Sequence, residues 1–419
     1  MGRTVSRGSV GSWCGIAFAA SALLFVACTS SSNDTTATPT SQVAGATAVT
    51  SPTPLPLREG VVRWGYHPGR ETGQRDPPPQ FAPLPSGYRI ETYATGLVQP
   101  TSLAFTPDGR LLIAEQRGAI RVVENGRLQV EPFYTTAAYY PAAEEGIIEL
   151  GLVGITVDPD FEENGYVYAY YTTEEPERRT VLVRVRDADG VGTDLEEILS
   201  LDAAPICCHI ADSLRFASDG TLFVTVGDHQ LETEAQNRAS PFGAILRINP
   251  DGSVPSDNPL VGDKLADPRV YAYGLRNPFD IAIEPFSGRI FATENGFLGQ
   301  DAIVEIKPGA NYGWPGYELS QPLDAMEPPL LFYNDALGPS GMEFYLSDSL
   351  PVLTGSLLFC QFHRGGALHA VTFDLDGSVA LDTIIALGCT SDVLTGPDGF
   401  IYFLEYVSGV VYRIAADLG

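Results

Sequence analysis

Along residues 88–419, apolar and polar side chains alternate at period two in short runs, and the runs come in pairs joined by a tight turn. The first complete pair is Pro100-Thr101-Ser102-Leu103-Ala104-Phe105 and Leu111-Leu112-Ile113-Ala114-Glu115, separated by Thr106-Pro107-Asp108-Gly109-Arg110. Proline pre-sets φ for the turn, aspartate bonds back to its backbone, and glycine takes the positive-φ position. Alternation on both sides predicts strand, turn, strand. The unit recurs from Val153 to Tyr171, Ser213 to Asp228, Asp280 to Asn295 and Ser391 to Tyr406, each around a turn rich in Asp, Pro or Gly. A degraded copy runs from Gly341 to Gln361. A third alternating run often follows, as in Ala119–Val123, Ile245–Ile248, Ile303–Ile306 and Val410–Ile414.

Six units in these residues give a period of about 55, near that of propeller blades. One unit cannot bury both sheet faces alone, so neighbours must stack, and a ring removes the ends. The expected fold is all-β: a six-bladed β-propeller with four-stranded antiparallel blades. Tyr88–Tyr93 lacks a local partner and is expected to close the ring as the outer strand of the last blade. A pair of β-sandwiches is the other architecture, and it leaves the recurrent turn unexplained.

The N-terminus reads differently. Arg3 and Arg7 precede the apolar run Ile16–Ala27, and Leu24-Phe25-Val26-Ala27-Cys28 has the form of a lipobox. Residues 1–28 are expected to be a lipoprotein signal peptide, with an ordinary secretory peptide as the other reading. Residues 29–85 begin as a Ser/Thr/Ala/Pro tract that cannot bury a core and predict a disordered tether. Residues 86–419 carry the propeller. The mature chain is thus expected to be exported and held at the membrane by its lipid alone.

The whole chain has 52 Asp and Glu against 25 Lys and Arg, a net charge of −27. Such a surface excludes nucleic acid as a partner and suits cations or neutral solutes. Beyond Cys14 and Cys28, four cysteines remain: Cys207, Cys208, Cys360 and Cys389. In an oxidising compartment disulfides are the default, and four cysteines allow three pairings, an adjacent Cys207–Cys208 bridge among them.

Several strings resemble the soluble glucose and sorbosone dehydrogenases: Gly151-Leu152-Val153-Gly154-Ile155 with Asp158-Pro159-Asp160-Phe161, Leu214-Arg215-Phe216 through Gly227-Asp228, and Ile245-Leu246-Arg247-Ile248-Asn249-Pro250-Asp251-Gly252. Tyr273-Gly274-Leu275-Arg276-Asn277-Pro278 and Lys307-Pro308-Gly309-Ala310-Asn311-Tyr312-Gly313-Trp314-Pro315 are the most specific. The resemblance implies a six-bladed propeller using pyrroloquinoline quinone (PQQ) and Ca2+, a small-molecule sugar substrate and an external electron acceptor.

Carried over residue by residue, the resemblance makes His209 the catalytic base, because a neutral imidazole can take the proton of a sugar hydroxyl while hydride leaves the same carbon. Asp228 would orient that base, and Glu149 would stand near the substrate. Arg276 and Asn277 would contact the quinone, since a guanidinium pairs with carboxylate through two parallel hydrogen bonds. The carbonyls of Gly296 and Phe297 would hold calcium, a hard cation that takes oxygen ligands. The relatives' quinone-binding lysine aligns with His363, beside Arg364, and two quinone-gripping arginines align around Cys389 and Ser391. Fewer cations than usual therefore face a trianion.

Each residue also has a structural reading. His209 can be a framework histidine or a ligand beside two cysteines; Asp228 can cap a strand, Glu149 can be a solvated loop acid, and Arg276 can pair within a turn. The four cysteines map near the funnel mouth, where a disulfide pinning opposite blades is the simple reading and a Cys/His metal site with His209 and His363 the other. Three functions fit the fold: PQQ-dependent oxidation of an aldose to its lactone, a calcium-dependent propeller lactonase, and a non-catalytic sugar- or protein-binding propeller.

Overall fold

The computed structural model describes residues 80–81, 84, 86–141, 149–174, 176–202, 208–211, 213–297, 300–315, 326–333 and 336–417. The span expected to be a signal peptide and nearly all of the expected tether lie outside them. Six antiparallel sheets form a β-propeller. Their inner strands are Pro100–Phe105, Leu152–Val157, Leu214–Phe216, Pro278–Ile283, Pro339–Tyr345 and Val393–Thr395, which define blades 1 to 6. Each inner strand touches the next, and the last touches the first. Every expected strand pair lies within one blade, including the degraded copy, which forms the two inner strands of blade 5. Among the described residues the single α-helix is Phe161–Asn164, and no helix is long and apolar enough to cross a membrane.

Closure follows the expected route. Tyr88–Thr95 pairs antiparallel with Val410–Ala416, so both ends of the propeller meet in blade 6. Gln80–Phe81, inside the span expected to be tether, pairs parallel with Val379–Leu387 on the outer edge of blade 5. In blade 1 the outer position is shared by two short strands, Arg127–Leu128 and Tyr134–Thr135, both on Ala119–Glu124.

The core is six clusters, each sandwiched between two neighbouring blades. Alternation explains this: each strand sends successive side chains to opposite faces, and both faces of a blade are covered. The cluster between blades 6 and 1 holds Leu103, Leu111 and Ile113 against Tyr402, Leu404 and Val411.

Around the axis the inner strands face one another with no partner strand, so side chains satisfy their backbone. Ser102 Oγ accepts from Ile155 N at 3.4 Å, and Ser213 Oγ from Ile281 N at 3.4 Å. Asp280 Oδ2 accepts from Met342 N at 2.6 Å, and Asp392 Oδ2 from Leu103 N at 2.7 Å. Arg215 reaches across from blade 3 and donates to the carbonyls of Ile281 and Met342 at 3.2 Å each. Its guanidinium lies 3.5 Å from Asp280 and 3.6 Å from Glu343. Burial pushes the carboxyls of Glu343 and Asp392 up to about 7.

The disulfide joins Cys360, on the second strand of blade 5, to Cys389 on the connection into blade 6, with Cα atoms 5.0 Å apart. It spans neighbouring blades, correcting the expectation of a bridge across the ring, because the blade-to-blade connection runs directly behind that strand. Cys208 is also disulfide-bonded; Cys207, and with it the adjacent pairing, lies outside the described residues. These bonds leave no free thiol at Cys208, Cys360 or Cys389 for a Cys/His metal site.

Two outcomes follow from this packing. Leu404→Ala empties a fully buried site between blades 6 and 1 and should cost about 2–5 kcal/mol in denaturant unfolding. Leu381→Ala, on an outer strand and 44% exposed, should stay within about 0.5 kcal/mol. Carboxyls that hold protons more tightly folded than unfolded add stability below their unfolded pKa and lose it as the pH climbs to the folded value. Stability should therefore fall between pH 5 and about 7 through Glu343 and Asp392. Glu343→Gln should flatten that slope, and equal slopes in parent and variant would contradict the assignment.

Candidate active site

In an antiparallel blade, the connection into the inner strand and the turn between the second and third strands lie at the same end. One cavity of about 330 Å³ opens there, lined from all six blades. Thr101 and Gln116 come from blade 1, Glu149 and Val153 from blade 2, and His209 and Ala211 from blade 3. Arg276, Asn277, Asn295 and Gly296 come from blade 4, Ser340 and His363 from blade 5, and Thr390, Ser391 and Tyr406 from blade 6.

His209 stands on a left-handed turn, with φ +60° at His209 and +59° at Ala211. Such a backbone costs energy for residues with a Cβ unless its surroundings hold it. Glu149 and Asn277 do so. Glu149 Oε2 accepts from the backbone N–H of His209 at 2.7 Å and of Ile210 at 3.2 Å, and from Asn277 Nδ2 at 3.1 Å. Asn277 Oδ1 accepts from Ala211 N at 3.2 Å. One oxygen of Glu149, a residue that lines the cavity, is thus spent on the turn, and the other has no partner among the described residues.

Behind the imidazole sits Asp228, fully buried at the end of the second strand of blade 3. His209 Nδ1 lies 2.6 Å from Asp228 Oδ1. Trp314 Nε1 donates to Asp228 Oδ2 at 2.7 Å, and Gln230 N donates to Oδ1 at 2.8 Å. An aspartate so held accepts a hydrogen bond from Nδ1–H, keeps the proton on that nitrogen and leaves Nε2 as the basic one. Among the described residues Nε2 has no partner, and the ring is 13% exposed toward the cavity.

The specific strings have a packing reason. A Cβ on Gly274 would sit 2.1 Å from Asn311 Oδ1, so glycine there lets the Asn311–Trp314 segment dock on blade 3. Trp314 N then donates to the Gly274 carbonyl at 2.8 Å, which brings the indole to Asp228. Trp314 was part of the sequence resemblance, but only its contact with Asp228 reveals its role. Gln116 and Tyr406, bonded to each other at the mouth, were not singled out: Gln116 lies just past its repeat unit, and Tyr406 is the last residue of its own, where nothing marks it as facing a cavity.

Arg276 stacks over the Trp314 ring at 5.5 Å and donates from Nη1 to the Asn295 carbonyl at 2.8 Å. Its Nε is buried with no partner among the described residues. Beneath it, Glu294 Oε1 accepts from Arg276 N at 2.6 Å, while Oε2 has no partner among the described residues. Burial pushes Glu294 up to about 8. The Arg276 Nε–H, a donor with no partner among the described residues on a side chain that lines the cavity, fits an oxygen-rich ligand that supplies the missing bond.

Other candidates are more scattered. Gly296 lines the cavity, and its N–H donates to Asp301 Oδ1 at 3.1 Å. Phe297 packs on Trp314 at 5.9 Å, and its carbonyl accepts from Gln300 N at 3.1 Å. His363 lines the cavity, whereas Arg364 is exposed on the same turn and is not among the lining residues. No cluster of three or more His, Cys, Asp or Glu side chains able to hold a metal occurs among the described residues. At the aligned arginine positions, Cys389 is buried in its disulfide and Ser391 Oγ donates to the Pro100 carbonyl at 2.8 Å.

Gly227 tests the close packing behind the base. A Cβ there would fall 2.0 Å from the His209 carbonyl and 2.9 Å from Asn277 Oδ1. Gly227→Ala should destabilise the fold by about 1–3 kcal/mol, read as a lower denaturant midpoint at unchanged slope.

Comparison with known proteins agrees with this architecture. The chain is 33% identical over 338 residues to an uncharacterized protein of Synechocystis, covering 74% of this chain and 82% of that one. It is 26% identical over 355 residues to an aldose sugar dehydrogenase of Escherichia coli, covering 79% of this chain and 94% of that one. The structure of a PQQ-bound aldose sugar dehydrogenase from Streptomyces coelicolor superposes with a TM-score of 0.66 at 24% identity, covering 80% of this chain and 100% of the other, and shows the shared fold. Residues 97–413 match the Glucose / Sorbosone dehydrogenase family, and the chain belongs to it.

Proposed function

We propose that this chain is a quinoprotein sugar dehydrogenase that oxidises the anomeric hydroxyl of an aldose to the lactone. The observation that supports it best is the buried Asp228–His209 pair, with Nε2 turned into a cavity walled by all six blades. Asp228 and Trp314 hold the imidazole in the tautomer whose Nε2 accepts a proton. His209 then takes the hydroxyl proton of the sugar as its carbon gives up hydride. The left-handed turn, fixed by Glu149 and Asn277, aims the ring. The free Glu149 oxygen is placed to accept from a sugar hydroxyl.

PQQ with Ca2+, when bound, supplies the acceptor for the hydride. Arg276, whose Nε has no partner among the described residues, and Asn277 would hold the quinone, with His363 on the neighbouring blade. The carbonyls of Gly296 and Phe297 would meet the calcium. Electrons would pass on to an external acceptor. The N-terminal sequence, read as a signal peptide ending in a lipobox, supports an exported, lipid-anchored enzyme, which suits a sugar drawn from outside the cell.

The test uses the intact protein, titrated with the quinone and Ca2+ while absorbance is followed, then assayed for dye reduction with several aldoses. His209→Ala should keep quinone binding and lower kcat/KM by about 10²–10⁴. Trp314→Phe should lower it less, because the indole acts through Asp228. Absence of both binding and turnover would reject the reading, and lactone hydrolysis by the same sample would select a lactonase instead.

A further inference from the structure

Blade 5 buries a polar chain that the proposed reaction does not use. His369, in the strand Ala367–Phe373, is fully buried, and its ring stacks on Phe359 at 4.2 Å and 17°. Nδ1 lies 2.9 Å from Asp382 Oδ1, and Nε2 lies 3.2 Å from Gln361 Oε1. The Tyr333 hydroxyl, on the outer strand of blade 4, donates to Asp382 Oδ2 at 2.8 Å. At the other end, Gln361 Nε2 donates to the His363 carbonyl at 2.8 Å. The chain thus runs from the outer edge of blade 4 to the turn whose histidine lines the cavity.

Both ring nitrogens face acceptors. A neutral imidazole has one donor and one acceptor nitrogen, so one of these contacts would set acceptor against acceptor. Turning the Gln361 amide over would satisfy Nε2 but aim Gln361 Oε1 at the His363 carbonyl, which moves the conflict without removing it. The doubly protonated ring closes every bond, with Asp382 as its counter-charge.

We propose that His369 is carried as a buried imidazolium, and that through Gln361 this cation fixes the His363–Gly365 turn against the cavity wall. His369 is then a positioning residue, whatever ligand the cavity takes. The groups facing it are Asp382 from the neighbouring strand and Tyr333 from blade 4. Farther along the same interface Arg289 pairs with Glu305 at 2.9 Å, and near the mouth Asp301 accepts from the N–H groups of Gly296, Leu337 and Gly338.

Ring ¹⁵N NMR of the intact protein at pH 7 tests the charge, with the His369 signals assigned by their loss in His369→Gln. Two protonated ring nitrogens are expected; one unprotonated nitrogen overturns the proposal. Gln361→Met tests the link while keeping the His369–Asp382 pair. Amide exchange at His363 to Gly366 should quicken at least tenfold, with blade 2 unchanged, and unchanged exchange at the turn overturns the positioning role.

Discussion

Six sheets arranged about an axis leave six inner edges without a partner strand, and the molecule is organised around satisfying them. An unpaired N–H or carbonyl buried there costs about as much as a lost hydrogen bond. The solution sits at one register of the inner strands: Ser102, Ser213, Asp280 and Asp392 each reach a backbone N–H of the next blade. Where blade 5 has Gly341, the backbone itself approaches, and Gly341 N donates to the Ser391 carbonyl at 2.7 Å. Arg215 answers the carbonyls. Ring closure is therefore a polar event at the axis and an apolar one between blades.

That rigid axis sets where chemistry can be placed. Chain segments crossing from one blade to the next enter the inner strand at the mouth, and second strands end there. His209, Arg276 and Ser391 come by the first route, and Asp228, Gly296 and His363 by the second. The same geometry spares the turns between first and second strands from any part in the site. The strain at His209 and Ala211 sits where such strain is commonly found, and it is held by side chains from two other segments.

The architecture was legible because period-two alternation and turn residues are local signals, repeated six times. Those turns mark the end of the propeller opposite the cavity, so the loudest pattern in the chain says nothing about the site. His209 and Asp228 could be singled out only through resemblance, since a lone histidine 19 residues from an aspartate has no spacing signature. That Glu149 and Asn277 support a backbone turn, and that Trp314 reaches Asp228, depends on contacts between segments 60 to 128 residues apart. The bond between Cys360 and Cys389 was equally hidden among three arithmetically equal pairings. Gln80–Phe81 escaped because two residues are too short to show a period.

Both boundaries of the propeller lie side by side, Tyr88 opposite Ala416 in one sheet. Topologically the ring has no privileged starting blade. A genetically rearranged version, with its old ends spliced by a short linker and new ends cut at the open turn around Gly109 or Gly220, where a Cβ would meet nothing within 4 Å, would retain every contact within and between the six blades except the turn that was cut.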